Sequence, residues 1–461
     1  MINGQYAKSV GISRQSVPIL ALLVGLCVSQ SLLAQGFGFG FGTRNGVVGG
    51  ISVDADGAVR SASALDQKNQ LQSLRKQVLG ASGELASRSS LRMVSLSKLQ
   101  AKIAEAIHNN QPLSEDILYL AGLQRIEYVF VYPDQNDIVL AGPAEGWKVR
   151  EDATVVGKTS GRPVLRLEDL LVAMRTVKAA QSQSISVSID PTAAGQKNLE
   201  RLLSRVRTGP GFNPKQLEGA MKKAFGPQMV TLTTVDTASR MANTLVAADY
   251  RMKRLAMNLE DSPVAGLPSY MEMVRDAGNR GTQPRWWMAC DYDAILHSKD
   301  MLAWKITGKG IKAMTEEEIV ETTGARRATG QANAVAQKWA DKFTEKFDEL
   351  CAVNAAFGDL RNAMDLNVVA TIIEGHQLES AAGCDFSLLK GDGLETPSWS
   401  TPQTIDPECS FVRGRSGWTV SASGGVEINP WKVVATQAVV DANVHVVHAK
   451  SAPSGDNWWW N

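Results

Sequence analysis

Two polar constellations carry the residue types that hydrolysis or ligand binding would need. One is Pro284-Arg285-Trp286-Trp287-Met288-Ala289-Cys290-Asp291-Tyr292-Asp293; the other is Asp249-Tyr250-Arg251-Met252-Lys253-Arg254. Asp291 and Asp293 lie two apart beside adjacent tryptophans. Sugar rings stack on aromatic faces while carboxylates accept hydrogen bonds from their hydroxyls. Paired carboxylates roughly 5 to 10 Å apart also cleave glycosidic bonds. Asp249, Asp291 and Asp293 are therefore the candidate catalytic groups, and Trp286, Trp287 and Arg254 the candidate binding groups. The competing reading is a packed aromatic seam with structural ion pairs. The sequence favours it, because nothing in the spacing places these groups in one cleft.

Other familiar chemistries are absent or weak. There is no H-E-x-x-H, no G-x-S-x-G and no G-x-x-x-x-G-K-[ST]. Gly308-Lys309-Gly310-Ile311-Lys312-Ala313 matches a dinucleotide G-x-G-x-x-A in form, but the alternating apolar residues on each side make a hairpin turn the better expectation. No cofactor is expected. His445 and His448 lie in a run that alternates like a strand, where an offset of three separates them onto opposite faces, and the other histidines are scattered, so no metal site is expected. Asp54 and Asp56 beside Gly57 lack the rest of a calcium-loop series and suit a β-hairpin instead.

The elements that would position these groups alternate in type, which predicts a mixed α/β fold. Residues 51–125 read as a hairpin followed by helices, with Leu96, Leu99 and Ile103 on one stripe. Residues 126–260 read as a strand-helix-strand-helix domain. Its strands are Ile126 to Tyr132, Ile138 to Leu140, Ile185 to Ile189 and Val230 to Val235. Asp190-Pro191 suggests a helix start, and a long helix from about Thr237 to Leu259 carries a stripe from Met241 to Leu259. Residues 261–380 read as mainly helical beyond short strands at 284–314. There Thr315-Glu316-Glu317-Glu318 resembles a capping box, and apolar stripes run from Val335 to Leu350 and from Phe357 to Ile372. Residues 381–461 read as a loop- and β-rich tail, strand-like at Val433 to Val447, ending in Trp458-Trp459-Trp460.

The first 34 residues have the shape of a secretory signal: Lys8 and Arg14 precede an apolar run from Val17 to Val28, with small residues near Ser31 and Ala34. That run is short for a membrane anchor, and no later segment is long enough to span a bilayer. Residues 35–50 read as a flexible leader rich in Gly and Phe. Cleavage after Ala34 would remove two of 48 basic residues and none of 47 acidic ones, moving the formal charge from +1 to −1. Such balance argues against a surface built to coat nucleic acid. It would also remove Cys27, leaving Cys290, Cys351, Cys384 and Cys409. In an exported chain these permit disulfides, with Cys384 to Cys409 as the expected pair because both lie in turn-rich sequence.

Several segments together resemble a planctomycete family of exported proteins of unknown function. They are Val-Tyr-Pro-Asp at 131–134, Leu-Ala-Gly-Pro-Ala-Glu-Gly-Trp at 140–147, Gly-Arg-Pro-Val-Leu at 161–165, Ser-Ile-Asp-Pro at 188–191, Ala-Ala-Asp-Tyr-Arg-Met-Lys-Arg at 247–254, Pro-Arg-Trp-Trp at 284–287 and Leu-Arg-Asn-Ala-Met-Asp-Leu at 360–366. The resemblance implies a periplasmic, envelope-associated or extracellular address and brings no catalytic residues with it. The expectation is a non-enzymatic binding or structural protein whose partner is an envelope protein or glycan, with the leader or the tryptophan-ended tail as contact segments. The alternative is a hydrolase acting on extracellular glycan or peptide.

Overall fold

The computed structural model describes residues 46–206, 212–277, 283–320, 326–414, 417–419, 423–436, 438–452 and 459–461. The signal, most of the leader and Trp458 lie outside them. Two large mixed sheets share one helical core. The nine-stranded sheet runs, in spatial order, Ile51–Val53, Ala58–Ser61, Thr404–Ile405, Gln228–Thr233, Ile185–Pro191, Ser423–Ile428, Gln283–Asp291, Gly310–Val320 and Arg326–Ala328. The six-stranded sheet runs Ala438–Val440, Ile295–His297, Ala303–Lys305, Tyr128–Tyr132, Asp137–Ala144 and Ser89–Ser95. The mixed α/β class expected from the sequence is what forms.

Strand Tyr128–Tyr132 is apolar throughout because both of its faces are covered. Val129 and Val131 join the main core, while Phe130 and Tyr132 face a second cluster with Met93, Val139 and Val444. The nine-stranded sheet buries one face under helices. Val187, Ile189, Val426, Met288 and Ala313 point into the core, while Ser188, Glu427 and Lys312 alternate with them on the other face.

Helix Ala355–Gly375 lies at the centre and is buried on every side. It packs on helices Arg240–Ala256, Leu167–Thr176, Phe347–Val353 and Pro430–Thr436 and on strand Gly310–Val320. Its stripe at Phe357, Leu360, Met364, Val368 and Ile372 is therefore only part of its buried surface; Asp359, Arg361 and Asp365 are buried with it. The preceding apolar stripe, which reads as one helix, breaks at Lys346 into Ala334–Glu345 and Phe347–Val353.

Several local expectations give way to tertiary pairing. Thr315 does not cap a helix. It sits in strand Gly310–Val320 opposite Trp286, and Ile311, Ala313 and Thr315 point inward at period two. Asp190 and Pro191 end a strand, and Thr192 caps the following helix by accepting from Gly195 N. The tail forms a two-stranded sheet of its own from Val412–Gly414 and Gly417–Thr419, while Ser423–Ile428 is inserted between Ile185–Pro191 and Gln283–Asp291. Its strand-like run is helix Pro430–Thr436, strand Ala438–Val440 and helix Ala442–Lys450.

Gly308-Lys309-Gly310 is neither a hairpin nor a phosphate loop: it crosses from one sheet to the other. A Cβ on Gly308, at φ +107°, would stand 2.7 Å from Asp293 N, and one on Gly310 would stand 3.0 Å from Arg361 Cγ. Arg125 pins this crossing to the central helix. Its Nε donates to Asp365 Oδ2 at 2.9 Å and its Nη1 to Gly308 O at 2.7 Å, while Tyr292 Oη donates to Asp365 Oδ1 at 2.8 Å. Burial and the Asp365 charge push the Tyr292 hydroxyl well above its ordinary pKa, so it stays a donor.

Removing one partner of a buried ion pair strands the other. Asp365→Ala is expected to cost about 3 to 5 kcal/mol and Tyr292→Phe about 1 kcal/mol in urea unfolding. Equal, small losses would remove the network from this structural role.

Candidate functional site

The structure places Asp249 apart from Asp291, while Asp293 lies just beyond Asp291 in the chain. Asp249 is fully buried on helix Arg240–Ala256, where its Oδ2 accepts from Lys253 Nζ at 2.9 Å; that ammonium also donates to Ile189 O at 3.1 Å. Asp291 ends strand Gln283–Asp291, half-exposed and 3.7 Å from Lys312. Asp293 is exposed in the turn beyond. Arg285 is the residue of that strand whose charge bears on Asp249, and Asp291 lies six positions further on, about 20 Å at strand rise.

The candidate binding residues are engaged within the chain. Trp286 is completely buried, with its ring edge-on to Tyr270 at 4.8 Å and to Trp339 at 5.3 Å. Trp287 is half-buried on the opposite face of the strand, 5.6 Å beneath the Arg285 guanidinium. Arg254 Nη1 grips both Glu408 oxygens at 2.5 and 2.6 Å, with Glu260 at 3.4 Å.

Cys384 and Cys409 are not joined. Cys290, Cys351, Cys384 and Cys409 are all free thiols, Cys384 packed on the main core and Cys409 beside Leu199, Met221 and Phe225 in a separate cluster. Burial pushes the Cys351 and Cys384 thiols up to about 11, away from reactivity. His445 and His448 share a helix, not a strand, with ring centroids 6.5 Å apart. His448 is spoken for: it stacks on Tyr132 at 4.6 Å, and its Nε2 is 3.1 Å from Val131 O. The tail is also docked. Ser95 N donates to Trp459 O at 2.8 Å, and the buried Arg92 guanidinium lies 5.6 Å from the Trp460 ring and donates to Asn461 O at 3.0 Å.

A cleft of about 950 Å³ lies elsewhere. Helix Ala64–Gln77 straps it. The helix follows hairpin Ile51–Val53 and Ala58–Ser61, whose turn is fixed by Asp54 Oδ1 accepting from Asp56 N at 3.0 Å and Ala58 N at 2.9 Å. Ser63 and Asp66 form a reciprocal capping box at its start. None of its 14 residues is buried. Asp66, Asn69, Gln70, Ser73, Leu74 and Gln77 line the cleft, spaced along a single helical face. A surface helix ordinarily turns an apolar stripe inward; this one turns a largely polar stripe toward open space.

The floor is built by three core elements. Arg240, the first residue of helix Arg240–Ala256, donates to Asp169 Oδ2 at 2.6 Å and to Asp359 Oδ2 at 2.5 Å. Burial opposes its charge, but Asp359 and Asp169 more than offset that and raise its pKa. Burial raises the Asp169 carboxyl while Arg240 holds it down. Arg166 lies 3.5 Å from Glu168, which accepts from Trp399 Nε1 at 3.1 Å. Gly49, at φ +57°, lets the incoming chain cross two packed helices: a Cβ there would stand 2.8 Å from Ala247 Cβ and 2.9 Å from Ala356 Cβ. Sequence reading missed this site because its walls come from segments far apart in the chain. The available signal was Asp359, Arg361 and Asp365 inside a mainly apolar helix, since such charges are buried only when paired.

Two measurements check these assignments. Alkylation after unfolding without reductant is expected to label Cys290, Cys351, Cys384 and Cys409; an unlabelled pair would contradict the free thiols. Burial, partly opposed by Lys253, raises the Asp249 carboxyl from 3.8 to about 6. Between those values the native state holds a proton that the unfolded chain has released. The Asp249 contribution to stability is therefore full below about pH 4 and is lost as pH rises to about 6, by up to roughly 1.4 kcal/mol per unit. Asp249→Asn is expected to flatten that slope in urea titrations; a variant curve parallel to the wild type would refute it.

No curated protein and no solved structure matches the chain. Residues 187–270 match the family model described as "Protein of unknown function (DUF1598)". This stretch supplies Arg240 to the cleft floor and carries the Asp249–Lys253 pair. The chain thus carries a DUF1598 domain, whose function is unknown, at 187–270.

Proposed function

We propose that this is an exported protein of the planctomycete envelope that works by binding, without catalysis of its own, and holds a polar envelope component in the cleft beneath helix Ala64–Gln77. The observation that carries the reading is the polar underside of that helix. Asn69, Ser73 and Gln77 face the cleft rather than a packed core, an arrangement that adds little to stability and suits a ligand. The cleft volume of about 950 Å³ falls in the range of roughly 300 to 1,000 Å³ typical of ligand sites. The signal-like residues 1–34 and the resemblance to exported planctomycete proteins support the address. Among the described residues no helix is long and apolar enough to cross a membrane. The docked Trp459 and Trp460 count against the tail as a free anchor, and the burial of Asp249 with Lys253 counts against its pairing with Asp291 in a hydrolytic site.

Hydrogen–deuterium exchange tests the site. A helix with no buried residue opens readily, so amides of 64–77 are expected to exchange fast in the free protein and to slow on addition of soluble envelope extract. The slowing should vanish in Ser73→Trp, which fills the cleft from an exposed position. Unchanged exchange, or slowing that survives Ser73→Trp, would overturn the site. Fractionation tests the address: a chain starting near residue 32 or 35 in the envelope fraction is expected, and an intact cytosolic chain would overturn export.

A further inference from the structure

We infer that the cleft takes an uncharged, polyhydroxylated ligand, a neutral oligosaccharide; this rests on the cleft being the binding site. The argument begins with its charges. Six ionisable side chains line it: Asp54, Asp66, Asp359, Arg60, Arg166 and Arg240. Each is already answered from within the protein. Arg60 meets Asp54 at 3.2 Å, and Arg166 meets Glu168 at 3.5 Å. Arg240 is held between Asp359 and Asp169. Asp66 Oδ2 accepts from Ser63 N at 3.1 Å and Ser63 Oγ at 2.7 Å, at the start of its helix, where a negative charge is favoured. A phosphorylated or carboxylated ligand would thus find no cation without a counter-charge, and recruiting Arg240 would break a buried pair at a cost of several kcal/mol.

What remains to make contacts is neutral. Side-chain amides of Asn69 and Gln77 and hydroxyls of Ser52, Ser73 and Thr154 line the cleft. Each amide offers two donors and an acceptor, and each hydroxyl acts as both. That repertoire matches sugar hydroxyls, which also donate and accept at every position. Leu74 and the edge of Trp399 add apolar surface for the C–H faces of a ring. The volume of about 950 Å³ leaves room for more than a single ring.

Calorimetric titration with neutral oligosaccharides (cello-, malto- and chito-oligomers), an acidic one (oligogalacturonate) and a cationic one (chitosan oligomer) tests the inference. At least one neutral series is expected to bind, with an affinity changing less than twofold between 50 and 500 mM salt. Asn69→Leu and Gln77→Leu are each expected to weaken it about five- to tenfold, the loss of one hydrogen bond, and Ser73→Trp to abolish it; urea midpoints of these exposed-site variants should not move. Preference for a charged oligomer, a steep salt dependence, or binding that survives Ser73→Trp would overturn the inference. If no oligosaccharide binds while envelope extract still slows exchange of residues 64–77, the ligand class falls and the site stands. If the extract has no effect either, both fall.

Discussion

Three charged side chains on one buried helix constrain the rest of the molecule. Asp359, Arg361 and Asp365 lie within Ala355–Gly375, a helix with no solvent face to spare, and a buried charge without a partner costs several kcal/mol. Each is therefore met from a different element. Arg240 comes from helix Arg240–Ala256, Asp348 from the helix before the turn, and Arg125 from the approach to the six-stranded sheet. These pairings fix how the helices cross and where the two sheets stand, more specifically than apolar contact does. They also leave Arg240 at the base of the cleft, clasped between carboxylates, so that the floor is charged yet neutralised.

The strap over that floor is the opposite kind of element. Helix Ala64–Gln77 is capped by Ser63 and Asp66 and tied back by Gln70 Nε2 donating to Val47 O at 2.8 Å, with Arg75 reaching Glu151 at its far end. It buries nothing. Beyond Leu74, its hold on the body is a few exposed or half-buried polar contacts, which are individually weak. The molecule thus combines a rigid, over-determined interior with one loosely held wall, and the loosely held wall is the one that presents neutral amides and hydroxyls to the cleft.

Much of the local structure was legible. The hairpin around Asp56-Gly57, the stripe at Leu96, Leu99 and Ile103, strand Ile185 to Ile189 and the long helix through Met241 and Leu255 all form where periodicity places them. The misreadings share a cause. Thr315-Glu316-Glu317-Glu318 has the letters of a helix start, but strand Gln283–Asp291 alongside offers a full ladder of hydrogen bonds, and pairing decides. Residues 442–450 alternate like a strand, yet Asp441 caps them and Val444 and His448 meet the six-stranded sheet one helical turn apart. The Gly-Lys-Gly turn shows its glycines but not that its two flanking strands belong to different sheets.

Sequence alone determined the class of fold, the near balance of charge, the absence of common catalytic motifs and the place of the strongly periodic elements. All of these depend on neighbours within a turn or two of the chain. Tertiary structure alone decided that Asp249 and Asp291 are separate, that Trp286 is core, that Cys384 and Cys409 stay apart, and that residues from 46 to 399 enclose one cleft. Convergence of distant segments is set by which buried charges and apolar faces find each other. That choice is made by the packed core as a whole, and no single stretch of residues records it.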